Sequence, residues 1–291
     1  MLEMNCLIPK TVEELCRDLS RLTPHSKIVG GGTDLTIDLN TGRVSPDMLL
    51  YLGDIRELHA ISNGPGYVRI GACATMYEIT ASGILGREYG AVSDAAAGVG
   101  SRQIRYLATV GGNIAGASPG ADMLPVMFLH RAELEIAAPE GICRKPIADV
   151  ILGAARTSLQ YNEAVTAIYL PAPIHKNYYT IFKKLGYRQK VSISRISLAV
   201  GLAFEKDGAI AFAEIVAGAV SPLPVHVLEA ERILTGAELT PEIKERVGGA
   251  LAALIMEITP EKDYKAGAAM GIAEDALDCF LVTVHTLAET T

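Results

Sequence analysis

The chain has 291 residues, 49% hydrophobic and 20% charged, which is enough apolar material for two or three domains with their own cores and too much for a disordered chain. A net charge of −7 excludes the basic face that nucleic acid or an anionic membrane surface would require. Five cysteines without a CxxC pair and six scattered histidines exclude a disulfide framework, a zinc site and an iron–sulfur cluster ligated by this chain alone.

Residues 11–22 predict an amphipathic helix, with Thr11 as N-cap, Glu14 completing a capping box, and Val12, Leu15, Cys16, Leu19 and Leu22 on one face. Pro24 ends it. A short strand at 27–29 runs into three glycines, and Leu35, Ile37 and Leu39 then alternate as in a strand. Further strands are expected at 47–52, 68–72, 134–137 and 164–170, and helices at 87–99 and 123–130. The 171–176 stretch, bounded by Pro171 and containing Pro173, reads as a linker. Beyond it, 178–186, 197–205 and 209–217 predict an antiparallel sheet, with Lys206-Asp207-Gly208 as a hairpin turn. Helices are expected at 225–235, 241–257 and 266–287. The class is α+β, divided as 1–55, 56–173 and 174–291. The apolar stretch 209–220 is broken by Glu214 and too short to span a bilayer, and no secretory core opens the chain, so a cytoplasmic location is expected.

Two glycine-rich turns carry the candidate chemistry. A strand ending in Gly30-Gly31-Gly32 lets backbone amides converge, and Thr33 adds a hydroxyl donor without charge. This is either an anion nest suited to a pyrophosphate or a plain loop between two core strands. Contiguous glycines do not make the G-x-G-x-x-G dinucleotide fingerprint, and no GK[ST] follows for a P-loop. The second turn, Thr109-Val110-Gly111-Gly112-Asn113, repeats the chemistry. Ser118 and Asp122 follow with a hydroxyl and a carboxylate. Asp122 has two readings, an acceptor for sugar hydroxyls or an adenine amine, and the N-cap of the helix beginning at Met123.

The segments IVGGGTDL (28–35), IGACAT (70–75), QIRYLATVGGNIAGASPGAD (103–122) and IFKKLGYR (181–188) together resemble the flavin subunit or domain of the molybdenum hydroxylases, the family of xanthine and carbon monoxide dehydrogenases. The TVGGN element followed by SPxxD is the most specific part, and the likeness runs over residues 5–290. The resemblance implies the two-subdomain FAD-binding fold of the vanillyl-alcohol-oxidase/PCMH type, followed by a C-terminal sheet with helices. Carried over, Ile28, Val29, Gly30, Gly31, Gly32, Thr33, Asp34 and Leu35, with Thr109, Gly111, Gly112 and Asn113, line the pyrophosphate and ribityl chain. Asp122 binds the adenosine half, with Ser118 beside it. Val165 packs on the flavin ring, and Lys183 approaches the ring from the C-terminal part. Val99 stands where some relatives have an aromatic. Thr33 stands where covalent flavoproteins of this fold have histidine, so noncovalent FAD is expected.

The same resemblance implies an electron-transfer role. [2Fe–2S] clusters on a small subunit and molybdopterin on a large subunit would feed electrons to FAD, which passes them to NAD or another acceptor. The substrate of such a complex binds elsewhere and is not legible here. Two other functions compete: a stand-alone flavin reductase of the same fold, and a nucleotide-binding module without catalysis. Partner chains would exclude the first, and bound flavin would exclude the second.

Overall fold

The computed structural model describes residues 5–188 and 191–289 and resolves two compact units. The first contains residues up to 84 together with 101–117 and 131–172. The second contains 85–100, 118–130 and the chain from 173 onward. The segments 85–100 and 118–130 lie in chain order inside 56–173 but cluster with the C-terminal sheet.

The strands of the first unit, in chain order, are β1 (Asn5–Leu7), β2 (Lys27–Val29), β3 (Met48–Tyr51), β4 (Ile61–Gly64), β5 (Tyr67–Gly71), β6 (Glu133–Ala138), β7 (Gly141–Pro146), β8 (Ile151–Gly153), β9 (Arg156–Thr157) and β10 (Ala164–Pro171). A small parallel sheet has the order β1–β3–β2, and a five-stranded antiparallel sheet the order β4–β5–β10–β6–β7. The helix Val12–Leu19 covers the parallel sheet. Leu15 and Leu19 are fully buried in a cluster with Leu50, Leu52, Ile55 and Leu58. Its cap differs from the expected box. The Thr11 hydroxyl accepts from the Glu14 amide, but the Glu14 carboxylate reaches past Thr11 to the amide of Lys10.

One strand reading is wrong. Leu35–Asn40 is a helix, because the Gly32 carbonyl accepts from the Thr36 amide and the Asp34 carbonyl from those of Ile37 and Asp38. The helix buries none of its residues and Ile37 is largely exposed, so the Leu-Ile-Leu alternation does not mark a core face. The exposed edge strand β7 and the short strands β1 and β4 lack a periodic apolar pattern and are not predicted from sequence.

The second unit is built on the antiparallel strands β11 (Tyr178–Gly186), β12 (Ser194–Phe204), β13 (Ile210–Gly218) and β14 (Val225–His226), in that order. Gly208, at φ 90°, makes the β12–β13 turn, where only glycine is at ease. Helices Leu228–Leu234, Pro241–Ile258 and Asp263–Glu289 close one core against Ile196, Leu198, Val200, Leu202 and Ile215. Thr240 caps the second of these helices and Pro241 starts it. Helices Gly90–Gly98 and Met123–Leu129 pack on the same sheet through small or compact residues: Ala91 and Ala95 are fully buried, and Pro125 sits against Gly218. No helix among the described residues is long and apolar enough to cross a membrane.

Candidate cofactor site

The first turn is set by close approach. A Cβ on Gly31 would fall on the carbonyl oxygen of Leu107, and one on Gly30 would lie 2.7 Å from the Thr109 hydroxyl. Gly32 has φ 67°, which turns the chain into the helix that follows. Two segments more than seventy positions apart are therefore in backbone contact, and only glycine fits between them. The amides of Gly31, Gly32, Thr33 and Asp34 donate to no protein acceptor among the described residues. These residues, half-buried to exposed, lie between the end of β2 and the start of the Leu35–Asn40 helix, where unpaired amides are available to an anion.

The second turn differs from the expected nest. Thr109 is the N-cap of helix Val110–Ala115, and its hydroxyl accepts from the Gly112 amide at 3.2 Å. The amides of Val110 and Gly111 donate to the carbonyls of Ala74 and Ala72, and that of Asn113 to the carbonyl of Thr109. All four amides are committed within the protein. Gly111 is fixed by packing, since a Cβ there would stand 2.7 Å from that of Ala72. The segment meets the first turn through Thr109, whose hydroxyl abuts Gly30. What it can offer a ligand is side-chain chemistry, from Thr109 and Asn113.

Asp122 lies in the second unit and is 5% exposed. It stands at the N-cap position but makes no side-chain cap. One carboxylate oxygen accepts from Lys184 Nζ at 2.5 Å and the other from Ser194 Oγ at 2.6 Å. Lys184 also donates to the carbonyls of Gly98 and Ser192. Through Asp122 and Lys184 the N-terminus of helix Met123–Leu129, the C-terminus of helix Gly90–Gly98 and strands β11 and β12 are tied together. The N-cap reading of Asp122 is therefore corrected: the residue has helical backbone angles, and its carboxylate is taken up by the Lys184 ammonium and the Ser194 hydroxyl in place of the helix amides. Each oxygen retains a second acceptor position.

The remaining expected residues are dispersed. Ile28 and Val29 end β2, Ile28 packing on the first unit's core. Ser118 is exposed. Val165 is buried in β10 opposite Ile136, next to a bulge at Thr166. Lys183 is half-buried on β11. By strand alternation it shares a parity with Tyr179 and Ile181, which pack on the helical core, whereas Lys184 shares that of Thr180 and Phe182. Lys184 and Ser194 are the residues that sequence reading missed. The period-two pattern of 178–186 places Lys184 opposite the helical core, but nothing in the sequence links it to residue 122. Among the described residues no cluster of His, Cys, Asp and Glu could hold a metal ion.

Residues 2–173 match the family described as the FAD binding domain in molybdopterin dehydrogenase, and residues 178–270 match the CO dehydrogenase flavoprotein C-terminal domain. The chain belongs to this family of FAD-binding oxidoreductase subunits of the molybdenum hydroxylase type. It is 29% identical over 251 residues to the nicotinate dehydrogenase FAD-subunit of Eubacterium barkeri, covering 84% of each chain. It is 26% identical to the xanthine dehydrogenase FAD-binding subunit of Escherichia coli O157:H7, covering 84% of this chain and 82% of that one. Its fold superposes with a TM-score of 0.82 on a carbon monoxide dehydrogenase from Hydrogenophaga pseudoflava, at 25% identity, covering 94% of this chain and 96% of that chain.

Proposed function

We propose that the chain holds one noncovalent FAD and is the electron-transfer subunit of a complex with a molybdopterin-binding large chain and a [2Fe–2S] small chain. The observation that carries the reading is the first turn: Gly31 lies against the Leu107 carbonyl, and the amides of residues 31–34 are left free for an anion. A pyrophosphate suits that arrangement, with the Thr33 hydroxyl as an uncharged donor and the start of the Leu35–Asn40 helix favouring negative charge. Ile28, Val29 and Leu35 supply the apolar flank. Thr109 and Asn113 add side-chain polar groups, while Gly111 packs against Ala72 and the Gly112 amide donates to the Thr109 hydroxyl.

Asp122 serves as acceptor for the adenosine half, with Ser118 nearby in sequence, and Lys184 and Ser194 fix its orientation. Val165 and Lys183 complete the set at the ring, where the ammonium of Lys183 supplies positive charge. When bound, FAD would supply redox chemistry linking one-electron iron–sulfur donors to NAD or another acceptor. The protein's own work is to bind, orient and tune. The relatives named above act on nicotinate, xanthine and carbon monoxide, so the substrate of the complex is decided on another chain.

The test is purification of the native complex through this chain, followed by flavin, iron and molybdenum analysis. Flavin together with both metals supports the reading. Flavin without partner chains or metals points instead to a stand-alone reductase.

A further inference from the structure

Scattered exposed apolar side chains are ordinary on a protein surface, and a cluster of them is not. In the first unit Tyr77, Ile104, Tyr106 and Leu107 are each more than a third exposed. They come from two helices that pack on each other, Met76–Ala81 and Arg102–Arg105, with the turn after the second. The rings of Tyr77 and Tyr106 lie 4.4 Å apart, their planes at 37°. Arg102 holds Tyr106 in place, donating to its phenol oxygen at 3.1 Å with the guanidinium 5.8 Å from the ring centroid. Preorganised tyrosines beside arginine are the composition of binding hot spots.

Charge and position say what covers this patch. Residues 99–113 include Arg102 and Arg105 and no acid, in a chain of net charge −7. The acid on the neighbouring helix, Glu78, is turned back onto the amide and hydroxyl of Thr75. The patch is therefore apolar with the Arg102 guanidinium at its edge and suits a surface of negative potential. The same short segment also reaches the cradle: one residue past Tyr106, the Leu107 carbonyl meets Gly31. A partner seated here touches the segment that closes the cofactor turn.

We propose that Tyr77, Ile104, Tyr106 and Leu107 form the docking surface for the electron-donating chain, one that carries a thiolate-ligated iron–sulfur cluster. The inference rests on the function proposed above. Thiolate and sulfide charges outweigh those of the irons, so such a cluster lends its surroundings negative potential matching the Arg102 guanidinium.

The test uses the full chain, affinity-tagged and co-expressed with its partner chains, purified and assayed for FAD, iron and acid-labile sulfide per chain. Tyr106→Asp and, separately, Tyr77→Asp are expected to lower iron and sulfide at least tenfold with FAD retained. Ile142→Asp, at an exposed apolar position on the edge strand β7, is expected to keep all three. If one tyrosine variant also loses FAD, the other decides. Wild-type levels of iron and sulfide in both tyrosine variants, or an equal loss in Ile142→Asp, overturn the docking surface. Wild-type protein that brings FAD but neither iron nor sulfide overturns the underlying function, and the surface with it.

Discussion

The carbonyl oxygen of Leu107 occupies the space that a side chain on Gly31 would need. That contact joins two glycine-rich segments that look like independent motifs in the sequence. It also divides their labour. Residues 31–34 keep free amides, whereas residues 110–113 spend theirs on Ala74, Ala72 and Thr109.

Gly31→Ala therefore forces a backbone shift at the turn. Overpacking of this kind costs about 1–3 kcal/mol, and the shift falls on the free amides. The expected result is a lower melting temperature and at least a tenfold loss of FAD per chain after gel filtration. Gly42→Ala is the control: its φ of 69° is strained but no atom lies within 4 Å of the new methyl. It should lose about 1 kcal/mol of stability and keep its flavin. Equal flavin content in both variants would remove the cradle role of Gly31.

The Asp122–Lys184 pair is nearly buried, with side chains 6% and 17% exposed. Removing one partner of such a pair costs about 3–5 kcal/mol, because a charge is left in a poor dielectric. Lys184→Met should unfold at markedly lower urea with FAD held in fixed excess. The double variant with Asp122→Asn should recover part of the loss. Strict additivity of the two changes would show that the carboxylate and ammonium act independently.

Cys73 is 1% exposed, and burial pushes its thiol up to about 12 from an ordinary value of 9.0, with the Glu78 charge adding to the effect. At pH 8 the native chain should be alkylated at the exposed Cys6 and Cys143 and not at Cys73. The linkage has a definite sign. Below about pH 9 both folded and unfolded thiols are protonated, and the stability contribution is whole. Between 9 and 12 only the unfolded thiol ionises, so stability falls by about 1.4 kcal/mol per pH unit. Cys73→Ala should flatten that part of the stability–pH curve. Ready modification of native Cys73 at pH 8 would contradict this account of its burial.

Lys183→Ala should lower the two-electron midpoint potential of bound FAD. Loss of about 1.4 kcal/mol of charge stabilisation corresponds to about 30 mV. Lys183→Arg should restore most of it. A spectroscopic redox titration that is the same for all three proteins would take Lys183 out of the site.

The family and the C-terminal meander were legible because their signals are local. The glycine turns are short motifs, and the buried strands around 164–170, 197–204 and 210–217 are long and apolar. The readings that failed depend on which donor meets which acceptor, near in sequence in one case and far apart in the others. Whether Leu35, Ile37 and Leu39 form a strand or a helix is settled by Gly32 and Asp34 accepting the next turn's amides, not by apolar alternation. Whether Thr109–Asn113 is a nest depends on Ala72 and Ala74, which absorb two of its amides. The fate of the Asp122 carboxylate depends on Lys184 and Ser194, at least sixty positions away. Sequence names such groups readily, but which donor meets which acceptor is decided by the sheet register.

The central claim is a single noncovalent FAD on this chain. Its most direct test is cofactor release: the purified protein is acid-precipitated and the supernatant is analysed for flavin by chromatography, against protein concentration. The account predicts FAD in the supernatant at about one per chain by this stoichiometric reading, with a colourless pellet. A colourless protein that takes up no FAD on reconstitution, or flavin that stays with the pellet, would contradict it.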